Sequence, residues 1–189
     1  MENGKLKVEN KADGETKKTY VMSLLVLTVI CLVVSGALAM MNGLTAPEIA
    51  ADAEKRAQDS MVEIIPDATG FDPLDLGGFD GLPPTIREVY KTTNDVGYIF
   101  IAAISGFSGD ITVICGIDTD GRIIESATLS HTETKGIGTI IEQESFLGSF
   151  KGLAGGLEGV DTVTGATIST RAFIHAVDDI LTAFEMIRD

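Results

Sequence analysis

Seven residues near the C-terminal end, Asp161-Thr162-Val163-Thr164-Gly165-Ala166-Thr167, combine hydroxyls and small side chains just ahead of a run with helical spacing. A turn of this kind opens onto a helix whose first N–H groups are unsatisfied and whose dipole is positive, an arrangement that suits a phosphate. Gly165 and Ala166 leave little side chain to obstruct a ligand or a modifying enzyme. Arg171, one turn into the helix, is placed to reinforce an anion site. A purely structural reading competes: Thr167 or Ser169 caps the helix. Spacing alone favours the cap.

Other chemistry-bearing residues are sparser. His131 and Glu133 can share one face of a strand and ligate a metal, but two histidines in the chain supply no third or fourth ligand. His175 falls on the last helix as a surface or pocket-edge residue. Asp118-Thr119-Asp120-Gly121 resembles the start of a calcium loop without its remaining ligands, and reads as a hairpin turn. No Gly-x-Ser-x-Gly elbow and no Gly-x4-Gly-Lys phosphate loop occurs. The two cysteines, Cys31 and Cys115, fit neither a disulfide-dense scaffold nor a four-ligand zinc site. Cys31 reads as a packed thiol rather than a metal ligand.

The elements that position these residues begin with a membrane segment. Val21 to Met41 is uncharged over 21 residues, against a need of about 20 for a helix to cross a hydrocarbon core. Five lysines precede it (Lys5, Lys7, Lys11, Lys17, Lys18), and only Lys55 and Arg56 follow closely. The excess of positive charge predicts an N-terminus inside the cell and an outward-facing remainder. A cleaved signal is the rival, because Ala37-Leu38-Ala39 resembles a cleavage site. The apolar run is nevertheless longer than the roughly 7–15 residues of a signal's core. A lipidated Cys31 lacks the expected small residue before it.

Beyond the span, the acidic excess is large: the whole chain carries 28 acidic and 14 basic side chains and a net charge of -14. Nucleic acid is disfavoured as a partner, since a phosphate backbone is bound by clustered Lys and Arg. A hydrophobic content of 44% excludes a disordered chain. Residues 46–64 predict an amphipathic helix, with Pro47 near its start and Ile49, Ala53, Ala57, Met61 and Ile64 on one face. Residues 66–84 hold four of the five prolines and read as a long loop.

Four strand-like runs follow, Ile86–Thr93, Gly97–Gly106, Asp110–Ile117 and Arg122–His131, joined by turn signals. The run from Ile111 to Ile117 reads as a central strand covered on both faces. A helix over about 139–151, a glycine-rich stretch from Gly152 to Gly159 and a last helix over about 169–187 complete the pattern. The last helix places Phe173, Val177, Ile180, Leu181 and Phe184 on one face. Phe71 and Phe107 are expected in the core. An antiparallel meander with helices packed against it is an α+β domain.

Asp161-x-x-Thr164-Gly165-Ala166-Thr167 resembles the flavinylation motif D-x-x-S/T-G-A-T, in which a threonine is esterified to FMN by a secreted, magnesium-dependent flavin transferase that uses FAD. By position the acceptor is Thr167. His131-Thr132-Glu133-Thr134-Lys135-Gly136-Ile137-Gly138 is similar to the same family's H-x-E-T-P-G-L-G stretch, which lines the flavin pocket. Lys135 replaces the usual proline and Ile137 the usual leucine. Phe146 and Phe150 stand at the family's aromatic positions.

With the N-terminal span, Ile65-Pro66-Asp67-Ala68 and Gly106-Phe107-Ser108-Gly109-Asp110-Ile111, the likeness covers about residues 20–189. The whole resembles the G subunit of the Rnf electron-transport complex, and is similar to the C subunit of the sodium-pumping NADH:quinone reductase. That resemblance implies a cytoplasmic tail (1–20), a transmembrane helix (21–41), a membrane-proximal helix and loop (42–84) and an extracytoplasmic FMN-binding domain (85–189). It implies covalent FMN on Thr167, with Asp161, Thr164, Gly165 and Ala166 around the attachment. Glu133, Thr134, Gly136 and Gly138 become the pocket contacts, the glycines by permitting close backbone approach. It also implies integral partner subunits in a cell membrane, a flavin transferase for maturation, and electron flow from ferredoxin to NAD+ or another acceptor coupled to ion movement. No proton-shuttling base is expected of such a relay. A free-standing membrane-anchored flavoprotein serving a cytochrome or other outside acceptor is the alternative.

Overall fold

The computed structural model describes residues 2–188, which fall into two compact units divided between Ala53 and Glu54. The first unit lies within helix α1, Glu2–Ile64. Its uncharged stretch exposes Leu24, Leu25, Val26, Leu27, Val29 and Ile30 among many other apolar side chains. A run this long that none of the described residues covers has hydrocarbon as its natural solvent. Two of its hydroxyls are internally satisfied, Thr28 Oγ1 donating to the Leu24 carbonyl at 2.9 Å and Thr45 Oγ1 to the Met41 carbonyl at 3.0 Å. Lipid offers no replacement for such bonds.

The separate helix expected from Pro47 onward is instead the continuation of α1, which runs through the proline. Pro47 forfeits one backbone hydrogen bond and crowds the Gly43 carbonyl, a cost of about 3 kcal/mol in a helix interior. Helix formers on both sides outweigh that cost. Gly43, the only glycine near the junction, does not adopt the left-handed conformation that ends helices.

In the second unit, five strands form one antiparallel sheet in the order β1-β2-β3-β4-β5: β1 Phe71–Pro73, β2 Ile86–Thr92, β3 Gly97–Ser105, β4 Asp110–Asp118 and β5 Ile123–Ser130. Four of these match the runs read from the sequence. The additional strand is three residues long and ends in Pro73, so it carries no alternation to read and sits where proline is tolerated, at the edge. Together with helices α2 (Glu144–Leu147) and α3 (Thr167–Ile187) the sheet makes the expected α+β arrangement.

Strand alternation decides which face each residue serves. Phe100, Ala102, Ile111, Val113, Cys115 and Ile117 pack with Phe173, Val177, Ile180 and Phe184 of α3. Ile99, Ile101 and Ile114 point the other way, onto Met61 and Ile64 of the last turns of α1 and onto Ile65. Strand β4 is therefore covered on both faces, as its continuous apolar run predicts. Phe71 is half-buried against the second cluster rather than in the main core.

The helix expected over 139–151 is broken into a 3-10 turn, Gly138–Glu142, and the single turn of α2. Gln143 between them is extended (φ -79°, ψ 134°), a bend that turns both Ile141 and Phe146 into the core.

Gly116 on β4 carries the docking of residues 61–65, because a Cβ there would overlap the Ile64 and Ile65 side chains. Gly116→Ala should cost about 1–3 kcal/mol through overpacking. The readout is the thermal midpoint of the purified full chain in detergent. An unchanged midpoint would show that this contact is not part of the folded core.

Candidate functional site

Three segments converge at one end of the sheet: the β3–β4 turn at Gly106–Gly109, the segment after β5 from His131 to Gly138, and the N-terminus of α3. Between them is a cavity of about 380 Å³, within the range of about 300–1,000 Å³ usual for small-molecule sites. Six residues singled out by sequence line it: Glu133, Thr134, Gly138, Gly165, Ala166 and Thr167. The two motifs, 28 positions apart from Glu133 to Asp161 in the chain, thus share one site.

Glu133 joins the three segments. Its Oε1 accepts from the backbone N–H groups of Phe107 at 2.8 Å and Ser108 at 3.1 Å, and its Oε2 accepts from the Ser169 hydroxyl at 2.7 Å. Burial on its own would raise the carboxyl's pKa. The Ser169 hydroxyl and the two backbone N–H groups, with His131 nearby, outweigh that and hold it below the usual carboxylate range. Glycines make room for it: a Cβ at Gly106 or Gly138 would overlap Glu133 atoms. The close approach permitted by Gly138 is therefore to this carboxylate, within the protein itself.

His131 is committed to the same scaffold. Its Nδ1 accepts from the Glu133 N–H at 3.0 Å, and its Nε2 lies 3.0 Å from Glu142 Oε1. Among the described residues no three metal-ligating side chains cluster.

At the start of α3 the capping reading fails. The cap residue is Ala166, with no side-chain cap hydrogen bond. Ser169 is turned to Glu133, and Thr170 Oγ1 bridges backward, donating to the Ala166 carbonyl at 2.9 Å and accepting from the Val163 N–H at 3.2 Å. Gly165 has φ +89°, a conformation that favours glycine. Thr167 is the first helical residue, half-buried at the cavity wall, and among the described residues nothing hydrogen-bonds its hydroxyl. The first N–H groups of α3 have no side-chain cap, and an anion is their natural complement.

Not every expected residue belongs to the cavity. Asp161 and Thr164 are exposed and do not line it. Gly136 (φ +79°) builds the turn after Thr134 and is likewise outside the lining. Arg171 and His175 are exposed on α3, away from the wall. Phe146 and Phe150 are buried, stacked edge-to-face with one another at 5.3 Å between centroids and packed on Phe173, so they brace α3 from beneath.

Phe107 is a correction. Expected in the core, it is 67% exposed and forms part of the cavity wall, as do Ile137, Ile168 and Ser169. A phenylalanine flanked by Gly106, Ser108 and Gly109, where turn chemistry calls for polar residues, was the available signal.

A family model described as the FMN-binding domain matches residues 106–182. That interval contains every residue lining the cavity. The G subunit of an ion-translocating oxidoreductase complex from Shewanella piezotolerans is 30% identical over 185 residues, 85% of this chain and 87% of that protein. The corresponding protein of Methanosarcina acetivorans is 31% identical, over 65% of this chain and 72% of that one. The G subunit of a proton-translocating ferredoxin:NAD(+) oxidoreductase complex from Clostridium ljungdahlii is 25% identical over 81% and 85%. Among solved structures, Shewanella oneidensis NqrC aligns over 50% of this chain and 54% of its own, at 22% identity and a TM-score of 0.44.

Because the Glu133 pKa is lower in the folded chain than unfolded, its contribution to stability is full above the unfolded value and is lost as pH falls through the folded one. Glu133→Gln should be less stable at pH 7, by about 1–3 kcal/mol. The difference should shrink as wild type is taken to acid pH. Thermal midpoints across that range are the check, and a constant difference would sink the assignment.

Proposed function

The chain belongs to the family of G subunits of ion-translocating oxidoreductase complexes, and from that premise we propose that it is the FMN-bearing electron relay of such a complex. The observation that carries the proposal is the Thr167 hydroxyl, free of hydrogen-bond partners among the described residues and lying in the cavity wall beside an uncapped helix N-terminus. A phosphate esterified at that oxygen lies within reach of the first amides of α3, where the helix dipole stabilises its charge.

In the proposed maturation, the Thr167 oxygen displaces AMP from the FMN phosphoryl of FAD, with a flavin transferase as the enzyme. Exposure of Asp161 and Thr164 supports this, since it leaves both accessible to a modifying enzyme. The flavin supplies the electron chemistry when bound. The protein residues bind and orient it: α3 amides at the phosphate, Gly165 and Ala166 granting approach, and the apolar side chains of Phe107, Ile137 and Ile168 facing the ring. Thr134 offers a hydroxyl and Glu133 a fixed negative charge at the same wall. None of these needs to exchange a proton for electrons to pass.

The apolar stretch of α1 supports attachment to a cell membrane, with the second unit outside the cell by the lysine asymmetry. The integral subunits of the complex are the proposed partners, and electron flow from ferredoxin to NAD+ or another acceptor the proposed overall reaction, coupled to ion translocation.

Intact-mass spectrometry of the chain co-expressed with a flavin transferase should show an added FMN less one water, and Thr167→Ala should abolish both that mass and in-gel fluorescence. Retention of either signal in the variant would remove Thr167 as the acceptor. Protease added to intact cells should digest the second unit and spare an N-terminal epitope; the reverse pattern would invert the topology.

A further inference from the structure

We propose that Phe107 is the ring-stacking wall of this cavity, and that Glu133 is the positioning residue that fixes it relative to Thr167. The identity of the stacked ring rests on the FMN reading above. The geometry stands on this chain's own residues.

The chain has eight phenylalanines. Phe100, Phe146, Phe150, Phe173 and Phe184 are buried, Phe71 and Phe79 half-buried, and Phe107 is 67% exposed. A single exposed apolar residue is ordinary. This one differs in how its backbone is held. It occupies the tip of a tight turn closed by the Gly106 N–H on the Gly109 carbonyl at 2.7 Å. Turn tips are the natural place for mobility. Here a buried carboxylate accepts both tip amides, and its other oxygen is bonded to Ser169 on the first turn of α3.

Thr167, two residues earlier on α3, is consequently tied through one side chain to the backbone that carries the Phe107 ring. Hydrogen bonds to an ionised acceptor are the stronger class, and three of them converge on Glu133. Burying a carboxylate and reserving glycines at 106 and 138 for it is a costly way to hold a turn whose side chain does nothing. It is the expected way to hold an aromatic face at a set position opposite an attachment point. Ile137 and Ile168, 55% and 53% exposed, extend the same wall, so a planar aromatic ligand meets apolar surface there.

The test uses the full chain in detergent, co-expressed with the flavin transferase, with FMN occupancy of each variant established by intact mass. Two readouts report the ring's surroundings without activity: acrylamide quenching of flavin fluorescence, and circular dichroism in the flavin's visible bands. Phe107→Ala should raise the quenching constant severalfold and collapse the visible dichroism at undiminished occupancy. Phe107→Trp should restore both toward wild type. Glu133→Ala should reproduce the Phe107→Ala spectra, and Glu133→Gln, whose amide oxygen still accepts both tip amides, should rescue most of the effect.

Loaded Phe107→Ala with wild-type quenching and dichroism overturns the proposal. So does a Phe107→Ala variant that loses only co-purification with integral subunits, which would make the ring a protein contact. If Glu133→Ala does not fold, Glu133→Gln and the Phe107 pair decide the outcome. Wild-type protein without an FMN mass is a separate result, which removes the flavin reading and this inference with it.

Discussion

One buried carboxylate sets the geometry on which the site depends. Glu133 is bonded to the β3–β4 turn through two backbone amides and to α3 through Ser169. Hydrogen bonds to charged groups contribute about 1.5–3 kcal/mol each. That scale matters because an unpaired buried carboxylate would be prohibitively expensive. With its partners in place, the same charge that would disrupt a core instead fixes three chain segments in mutual register. The constraint propagates to neighbouring positions: Gly106 and Gly138 are small because the carboxylate fills the space a side chain would take.

The rest of the domain delivers those segments to that junction. A sheet whose central strands β3 and β4 are packed on both faces is a stiff platform, and the β3–β4 and β5 ends are set by its antiparallel register. Helix α3 is seated by aromatic contacts at both ends. Phe173 meets Phe146 and Phe150 near its start, and Phe184 meets Tyr98 and Phe100 near its finish, at centroid distances of 5.3 to 6.4 Å. Edge-to-face geometry of this kind resists rotation of the helix about its axis, since ring planes are specified as well as distances. The N-terminus of α3, with Thr167 upon it, is thereby aimed at the cavity from the opposite end of the same helix.

Periodicity made much of this legible in sequence. Four strands and α3 announce themselves by alternation or helical spacing, because each buries one face or two against something large. Features set by a single local choice did not. Strand β1 is too short to alternate, and Gln143 breaks a helix that spacing alone would continue. Pro47 reads as a helix start when it is a proline tolerated, at a cost, inside a longer helix. The site was legible as two motifs, yet their meeting depends on Glu133, which reaches α3 through the Ser169 hydroxyl and the β3–β4 turn through backbone amides that have no sequence signature. Phe107 was misplaced for the same reason: apolar content says core, and only the pinned turn turns it toward the cavity.

The shape of the cavity bears on why a covalent link would be useful here. Affinity for a diffusible ligand comes from burying it, and typical small-molecule sites enclose most of the ligand's surface. This wall is formed by side chains that are themselves more than half exposed at Phe107, Ile137 and Ile168. An open wall keeps one edge of a bound ring near the surface, which favours electron exchange with a partner and disfavours tight retention. The ester proposed at Thr167 would separate the two demands. Retention would pass to a bond, and the effective concentration of the ring at its wall would be set by a short tether. The noncovalent contacts would then be left with orientation alone, a task that a few apolar faces and one fixed carboxylate can perform.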